Sequence, residues 1–181
     1  LFRKAKEIHR KSLIIDSHCD TPMKFTEGFN FGERHEEVKV DLPKMQEGQE
    51  DAVFMVAYLH QDARDDESLQ AATQKAVDIL YQISEQVKLN EKQVGVAYNV
   101  DDLIYLKNAG KKAIFLAIEN GYAIGKDLGN LSMFKDMGIT YITLCHNGSN
   151  DICDSAKGEP EHNGLSPFGR EVVKEMNRLG I

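Results

Sequence analysis

Hydrophobic and polar positions along this chain predict strands and helices in turn. Continuous apolar runs at 52–59, 113–118 and 139–145 are typical of strands that are buried on both faces of a parallel sheet. Between them, apolar residues recur at steps of three and four, as they do on one face of a helix, most clearly over 66–89. This alternation predicts an α/β fold with a parallel sheet.

The remaining elements follow from the same patterns and from residues that begin or end helices. Helices are predicted over 2–11, from Asp41 or Leu42 onwards, and over 100–109, 128–137 and 167–179, with a short buried strand at 13–17 and an extended piece at 94–97. Asn99 and Ser166 are side chains that cap a first helical turn, and Pro167 suits the first helical position. The polar stretches 23–40 and 147–165 are predicted to be long loops, which in compact domains are often functional.

Length and charge narrow the possible classes of protein. The 181 residues suffice for one domain with a full core, and the net charge of −7 argues against a nucleic-acid-binding surface, which would be basic. No apolar run approaches the roughly 20 residues of a membrane-spanning helix. The chain begins without Met and with a charged segment, so the compartment stays open. Export, for example to the periplasm with the signal removed, is one alternative.

The cysteines and several histidines are given no role in a site. Cys19, Cys145 and Cys153 match neither a disulfide framework nor a zinc ribbon. Cys145 is predicted to be a small buried apolar residue, and Cys19 is not expected to be a ligand. His35 is predicted to be a solvated loop residue, and His60 and His162 are left as loop residues too.

Ionisable side chains lie at the ends of three of the four main predicted strands. His18 and Asp20 follow the first, Glu119 follows the third and His146 follows the fourth. In an extended chain His18 and Asp20 point to the same side, with Cα atoms about 7 Å apart. Functional residues of a β/α barrel gather at the carboxyl ends of its strands, and imidazole and carboxylate are ligands of zinc-like metals. Taken singly, these residues would also suit a capped strand end or a solvated acid before a turn. Together they predict a (β/α)8 TIM-type barrel with a metal site at its mouth.

Four segments carry a resemblance to a known family: His18–Pro22, Ala117–Gly121, Leu144–Asn147 and Gly164–Gly169. They resemble the zinc-dependent membrane (renal) dipeptidases, which belong to the metal-dependent hydrolases with a (β/α)8 barrel. The similarity runs over nearly the whole chain, in order. It departs at Cys19, where Asn is the residue most associated with the motif, but this is not a ligand position.

The resemblance implies roles for four residues. His18 and Asp20 would bind one zinc ion, Glu119 would bridge to a second, and His146 would be a substrate-site histidine that helps to hold the tetrahedral intermediate. The catalytic residues would then be His146 and Glu119. Two further histidine ligands, an arginine and an acid are expected beyond Ile181, so that residues 1–181 would form the first half of a single barrel domain.

The implied activity is hydrolysis of dipeptides by water activated between two Zn²⁺ ions about 3.5–4 Å apart. A D-residue at the C-terminal position of the dipeptide is one alternative. Two other functions stay open: another binuclear metal hydrolase of the same barrel, acting on an amide or ester, and a non-catalytic binding relative. Because half a barrel leaves strand edges unpaired, a homo-oligomer, a dimer, is expected. The isolated fragment is expected to be inactive and dimeric, aggregated or partly molten.

Overall fold

Strands and helices alternate through the computed structural model, which describes residues 2–25 and 28–181. The strands within these residues are β1 (Ile15–Cys19), β2 (Ala52–Tyr58), β3 (Val94–Val96), β4 (Lys112–Glu119) and β5 (Ile139–Thr143). The α-helices are α1 (Phe2–Lys11), α2 (Leu42–Gly48), α3 (Asp66–Leu89), α4 (Val100–Asn108), α5 (Gly129–Asp136) and α6 (Pro167–Leu179). Short 3₁₀ turns occupy Thr21–Lys24 and Gly121–Ile124. Among the helices described, none combines the length and the apolar character needed to cross a membrane.

The strands form a single five-stranded sheet. The order is β1-β2-β4-β3, and β5 also pairs with β4. β1 and β2 are parallel, with Ile15 opposite Ala52, and β3 and β4 are parallel, with Val94 opposite Lys112. The parallel α/β class predicted from the apolar runs is therefore confirmed, and the extended piece at 94–97 is a short strand beside the start of β4.

One compact unit comprises Leu1–Val56 and Tyr81–Leu116. Its buried cluster is built from strand and helix residues of this unit: Ala52, Ala97, Leu103, Leu106, Ala113 and Phe115. The ring of Phe54 stacks on that of Phe115, with centroids 4.6 Å apart. Asp41 caps α2 by accepting from the backbone N–H of Lys44 at 2.9 Å. The cap fixes where α2 begins, as the sequence predicted.

The other compact unit comprises Ala57–Leu80 and Ala117–Ile181. Leu131 and Phe134 of α5 and Val172 of α6 are fully buried. Ser166 caps α6 by accepting from the Gly169 N–H at 2.9 Å. Only glycine fits at position 169, because a Cβ atom there would lie 2.0 Å from the carbonyl oxygen of Ile152.

Long, strongly periodic elements were predicted correctly. All six apolar residues of the predicted stripe on α3 are at most 8% exposed: Leu69, Ala72, Ala76, Leu80, Ile83 and Val87. The helix also begins and ends at the predicted residues. A period of three and four over 24 residues therefore located both the helix and its buried face.

The first strand was predicted wrongly in two respects. β1 runs over Ile15–Cys19 rather than 13–17, and Leu13 and Ile15 are 41% and 44% exposed rather than buried. The reason is position, because β1 lies at the end of the described strand order, with β2 as its neighbour. On α1, Ala5 and Ile8 are exposed, while the side chain of Phe2 lies outside the described residues.

Candidate metal and catalytic site

The first pair of site residues lies where β1 ends. His18 is in the strand, and Asp20 follows it with φ −90° and ψ 11°, which turns the chain into the 3₁₀ segment that contains Pro22. The His18 imidazole Nε2 lies 3.3 Å from Asp20 Oδ1. Both side chains keep solvent access, at 35% and 53% exposure. The structure thus brings the two predicted ligands together, through a turn rather than through a fully extended chain.

Cys19, between these two residues, is packed against the protein. Its Sγ donates to Thr21 Oγ1 at 3.2 Å, and that hydroxyl donates to the Val40 carbonyl at 3.0 Å. Burial raises the pKa of the Cys19 thiol, because a thiolate would lose its hydration there. These contacts give Cys19 a structural role in the turn that presents His18 and Asp20.

A pocket of about 410 Å³ opens beside the His18–Asp20 pair. Its walls come from the end of β1, the following turn and the stretch 37–40, and they carry the charged side chains Lys24, Glu37 and Lys39. The pocket gives the exposed faces of His18 and Asp20 access to a small molecule. A pair of metal ligands needs this arrangement, in which the donor atoms are held in place and remain open to solvent.

The second pair of site residues lies at the ends of β4 and β5. Glu119 is the last residue of β4, and its Oε1 lies 3.3 Å from His146 Nε2. The side chains are 14% and 33% exposed. Tyr58 presents its ring edge-on to the His146 ring, with centroids 5.1 Å apart. β5 ends at Thr143, so His146 lies in the following loop and not directly at a strand end as predicted.

A buried network around Asn120 holds this second pair, and sequence reasoning missed it. Asn120 is fully buried with φ 83°, and its N–H donates to Thr143 Oγ1 at 2.8 Å. Its side chain donates to the Leu59 carbonyl at 3.1 Å and accepts from Asn150 Nδ2 at 3.1 Å. The Asn120-Gly121 turn was visible in the sequence, but the buried partner at Asn150 follows only from the fold.

The loop after β5 is organised by the carboxylate of Asp154. That carboxylate accepts from the backbone N–H groups of Glu161, His162 and Gly164 at 2.7, 3.0 and 2.9 Å. The bond from Gly164, with those from the other two, lowers the pKa of the carboxyl below its ordinary value. The His162 Nε2 lies 3.0 Å from the Asn150 carbonyl oxygen. His162 is therefore part of the loop structure.

Two further predictions about single residues were wrong. Cys145 is half-buried rather than a fully buried apolar residue, and its Sγ donates to the Asp154 carbonyl at 3.3 Å. His35 is not a solvated loop residue: its side chain is 18% exposed and stacks on Phe29, with ring centroids 4.1 Å apart. Periodicity carries no information on such contacts within loops. His60 is exposed, as expected of a loop residue.

The chemistry of the donor set suits a metal ion. Within the described part of the chain, His18, Asp20 and Glu119 form a group of ligand-capable side chains that could hold one. One imidazole nitrogen and two carboxylates are the donors that Zn²⁺ accepts in catalytic sites. His146 is not a member of this group and contacts Glu119 instead.

Comparisons with known proteins identify the family. The family model of the membrane dipeptidases, peptidase family M19, matches residues 2–181. Dipeptidase tcpJ of Claviceps purpurea is 34% identical over 151 residues, covering 78% of this chain and 35% of that protein. An uncharacterized dipeptidase of Schizosaccharomyces pombe, C965.12, is 31% identical over 201 aligned positions, covering 99% of this chain and 47% of that protein.

A solved structure has the same fold. The probable dipeptidase PvdM of Pseudomonas aeruginosa matches with a TM-score of 0.89 and 25% identity, covering 99% of this chain and 48% of that chain. The present chain thus spans about half, or less, of the length of these proteins. The match of the family model over nearly all residues decides the assignment: the chain belongs to the membrane dipeptidase family, peptidase family M19.

Proposed function

We propose that this chain forms the first half of a zinc-dependent dipeptidase barrel that hydrolyses the peptide bond of dipeptides. The observation that carries the proposal is the set of His18, Asp20 and Glu119, a donor group suited to a metal in a chain of this family. Two relatives whose names call them dipeptidases support the substrate class. Full activity would need the histidine ligands that the family resemblance implies beyond Ile181.

In this proposal His18 and Asp20 would hold one Zn²⁺ ion, and Glu119 would share its carboxylate with a second. When bound, Zn²⁺ lowers the pKa of coordinated water towards 7 and supplies a nucleophile at neutral pH. A carboxylate has two oxygens, so Glu119 can offer one to each ion. The low exposure of Glu119, 14%, supports this role because a buried carboxylate needs positive partners.

His146 is proposed to act on the substrate rather than on the metal. Its Nε2, now 3.3 Å from Glu119, is a potential hydrogen-bond donor beside the proposed ligand. A donor placed there would stabilise the negative charge that develops on the carbonyl oxygen during attack. Tyr58, edge-on to the ring, and the 33% exposure of His146 leave the imidazole restrained but accessible.

The experiment is Glu119→Gln in the intact protein, with Glu85→Gln as a matched control at an exposed position. Zinc content is measured by elemental analysis, and turnover is measured on L-Ala-L-Ala, L-Ala-D-Ala, an N-acylated amide and an ester. We expect about two zinc ions in the wild type, and loss of most turnover in Glu119→Gln with an unchanged circular dichroism spectrum. The control variant should behave as wild type.

The same measurements separate the alternatives. Cleavage of the amide or ester in preference to dipeptides would favour another binuclear hydrolase. A protein without zinc or turnover would favour the non-catalytic relative. Near-normal turnover of Glu119→Gln, or full activity of the wild type after chelation of its metal, would contradict the proposed site.

We also propose that the intact protein is a dimer and that residues 1–181 alone are inactive. Unpaired strand edges tend to find partners, and the ligands implied beyond Ile181 would be absent from the fragment. Size-exclusion chromatography of both polypeptides, together with a zinc assay and dipeptide turnover, tests these statements. A monomeric 181-residue fragment that holds two zinc ions and cleaves dipeptides would overturn them.

A further inference from the structure

Two of the three cysteines lie in the loop that carries His146. Cys145 directly precedes His146 and is half-buried, whereas Cys153, eight residues later, is 7% exposed. Both are free thiols. Nothing in the proposed hydrolysis uses a thiol, so the presence of two cysteines in this short loop calls for a separate explanation.

The loop folds back so that its two ends run side by side. Cys145 Sγ donates to the carbonyl of Asp154, the residue after Cys153, at 3.3 Å. Ser155 Oγ donates to the His146 carbonyl at 2.6 Å. Between these contacts, the Asn150 N–H donates to the Cys153 carbonyl at 3.1 Å. The segment around Cys145 therefore lies against the segment around Cys153.

The two thiols are therefore neighbours within the folded loop. Burial, together with the neighbouring Cys145, raises the pKa of Cys153 to about 12. Cys153 thus stays protonated at neutral pH, and Cys145 is the more accessible thiol of the pair. Since the thiolate is the nucleophile in disulfide chemistry, this asymmetry makes Cys145 the attacking thiol and Cys153 the resolving one.

We propose that Cys145 and Cys153 are a reversible modification site, which a small-molecule disulfide oxidises to an intramolecular disulfide. The Cys145 thiolate attacks one sulfur of the reagent, whose S–S bond breaks and releases one thiolate. Cys153 then passes its proton to the thiolate just released and attacks the Cys145 sulfur, the mixed disulfide breaks, and the second reagent thiolate leaves. The two protein thiols are oxidised, the reagent is reduced to two thiols, and the two protons pass to the leaving groups.

Oxidation would also act on the neighbouring His146. The S–S bond would replace the contact from Cys145 Sγ to the Asp154 carbonyl and draw residue 145 towards residue 153. Because His146 is the next residue, its imidazole would shift from its position 3.3 Å from Glu119. We therefore expect oxidation to lower turnover several-fold. This second statement rests on the proposed function, whereas formation of the disulfide does not.

The test uses the intact protein incubated with oxidised glutathione and then alkylated, with intact-mass and peptide mass spectrometry. We expect a loss of the mass of two hydrogen atoms, a peptide cross-linked between Cys145 and Cys153, and reversal by dithiothreitol. Cys145→Ser and Cys153→Ala should each abolish the cross-link, and Cys19→Ala should retain it. Two variants are used because Cys153 is buried and its replacement is the more disruptive of the two.

The outcomes separate the site from its effect on activity. Unchanged thiols, a glutathione adduct that persists on Cys145, or an intermolecular disulfide would each overturn the modification site. If the cross-link forms and reduced protein is active but oxidised protein is equally active, the effect on His146 is wrong. If even reduced protein lacks turnover on any dipeptide while the cross-link forms, the proposed function fails and the modification site stands.

Discussion

Glu50, two residues before β2, is a half-buried carboxyl whose ionisation should weaken the fold. Burial raises its pKa to about 7, and the nearby Asp16 carboxylate adds to the shift, which Lys112 only partly offsets. The perturbation we suggest is Glu50→Gln, which removes the charge but keeps an oxygen that can accept a hydrogen bond. The variant should be more stable than the wild type at pH values above 7.

The magnitude follows from the pKa. A carboxyl whose pKa is raised in the folded state contributes stability below its ordinary value of 4.5, and that stability is lost as the pH rises to about 7. At roughly 1.4 kcal/mol per pH unit, a shift from 4.5 to about 7 corresponds to a loss of about 3.5 kcal/mol. Glu50 is only half-buried, so screening by solvent reduces the expected difference to about 1–2 kcal/mol.

The assay is urea unfolding of the intact wild type and variant between about pH 5 and pH 9, with the exposed Glu91→Gln as a control. The free energies of unfolding of the two proteins should differ little near pH 5. The advantage of Glu50→Gln over the wild type should then grow until the pH passes about 7. Glu91→Gln should follow the wild type throughout. A difference that does not depend on pH, or a wild type that is more stable than the variant at pH 9, would refute the reasoning.

Three further predictions concern backbone and buried polar groups. Gly169→Ala should cost more than about 2 kcal/mol of stability in thermal unfolding, because its Cβ would lie 2.0 Å from a carbonyl oxygen, whereas Gly48→Ala, with open space, should be near neutral. Asp41→Ala should destabilise by about 2 kcal/mol or more near neutral pH. Burial opposes ionisation of Asp41, but hydrogen bonds from His35 and Lys44 hold its pKa below the usual value. The difference in stability between the wild type and Asp41→Ala should therefore shrink only as the pH falls through that lowered pKa. In thermal unfolding, Asn120→Ala should have a lower melting temperature than Asn120→Gly, because glycine tolerates the φ of 83° at this position. Equal melting temperatures would contradict a role for backbone strain.

The sequence predicted most elements because their burial is periodic. The apolar stripe on α3 and the apolar runs of β2 and β4 each continue over many residues that are buried in the same way. The prediction for β1 was wrong because Leu13 and Ile15 belong to an apolar run that is typical of a buried strand. This run lies at the end of the strand order, and both side chains are exposed. Hydrophobicity alone cannot distinguish a strand in the middle of a sheet from one at its edge.

The candidate site was predictable only where it depends on strand ends. His18, Asp20 and Glu119 could be proposed as site residues because a parallel sheet places the carboxyl ends of its strands at one edge. Asn120 and Asn150, which hold the second pair through a bond of 3.1 Å, are 30 residues apart and belong to no local pattern. His35 was misjudged for the same reason, since its stacking partner Phe29 lies in a loop without periodicity.

The Asp154 carboxylate, which gathers three backbone N–H groups, divides its loop into an anchored base and a tip. Residues 156–160 are all exposed and lie between Asp154 and the first of its donors, Glu161. The Lys157 N–H donates to Ser155 Oγ, which in turn donates to the His146 carbonyl. A change of length between Lys157 and Glu161 would lie outside these bonds and so would leave His146 where it is. The tip is therefore the place to insert an affinity tag or attach a fluorescent label for following this protein without disturbing its chemistry.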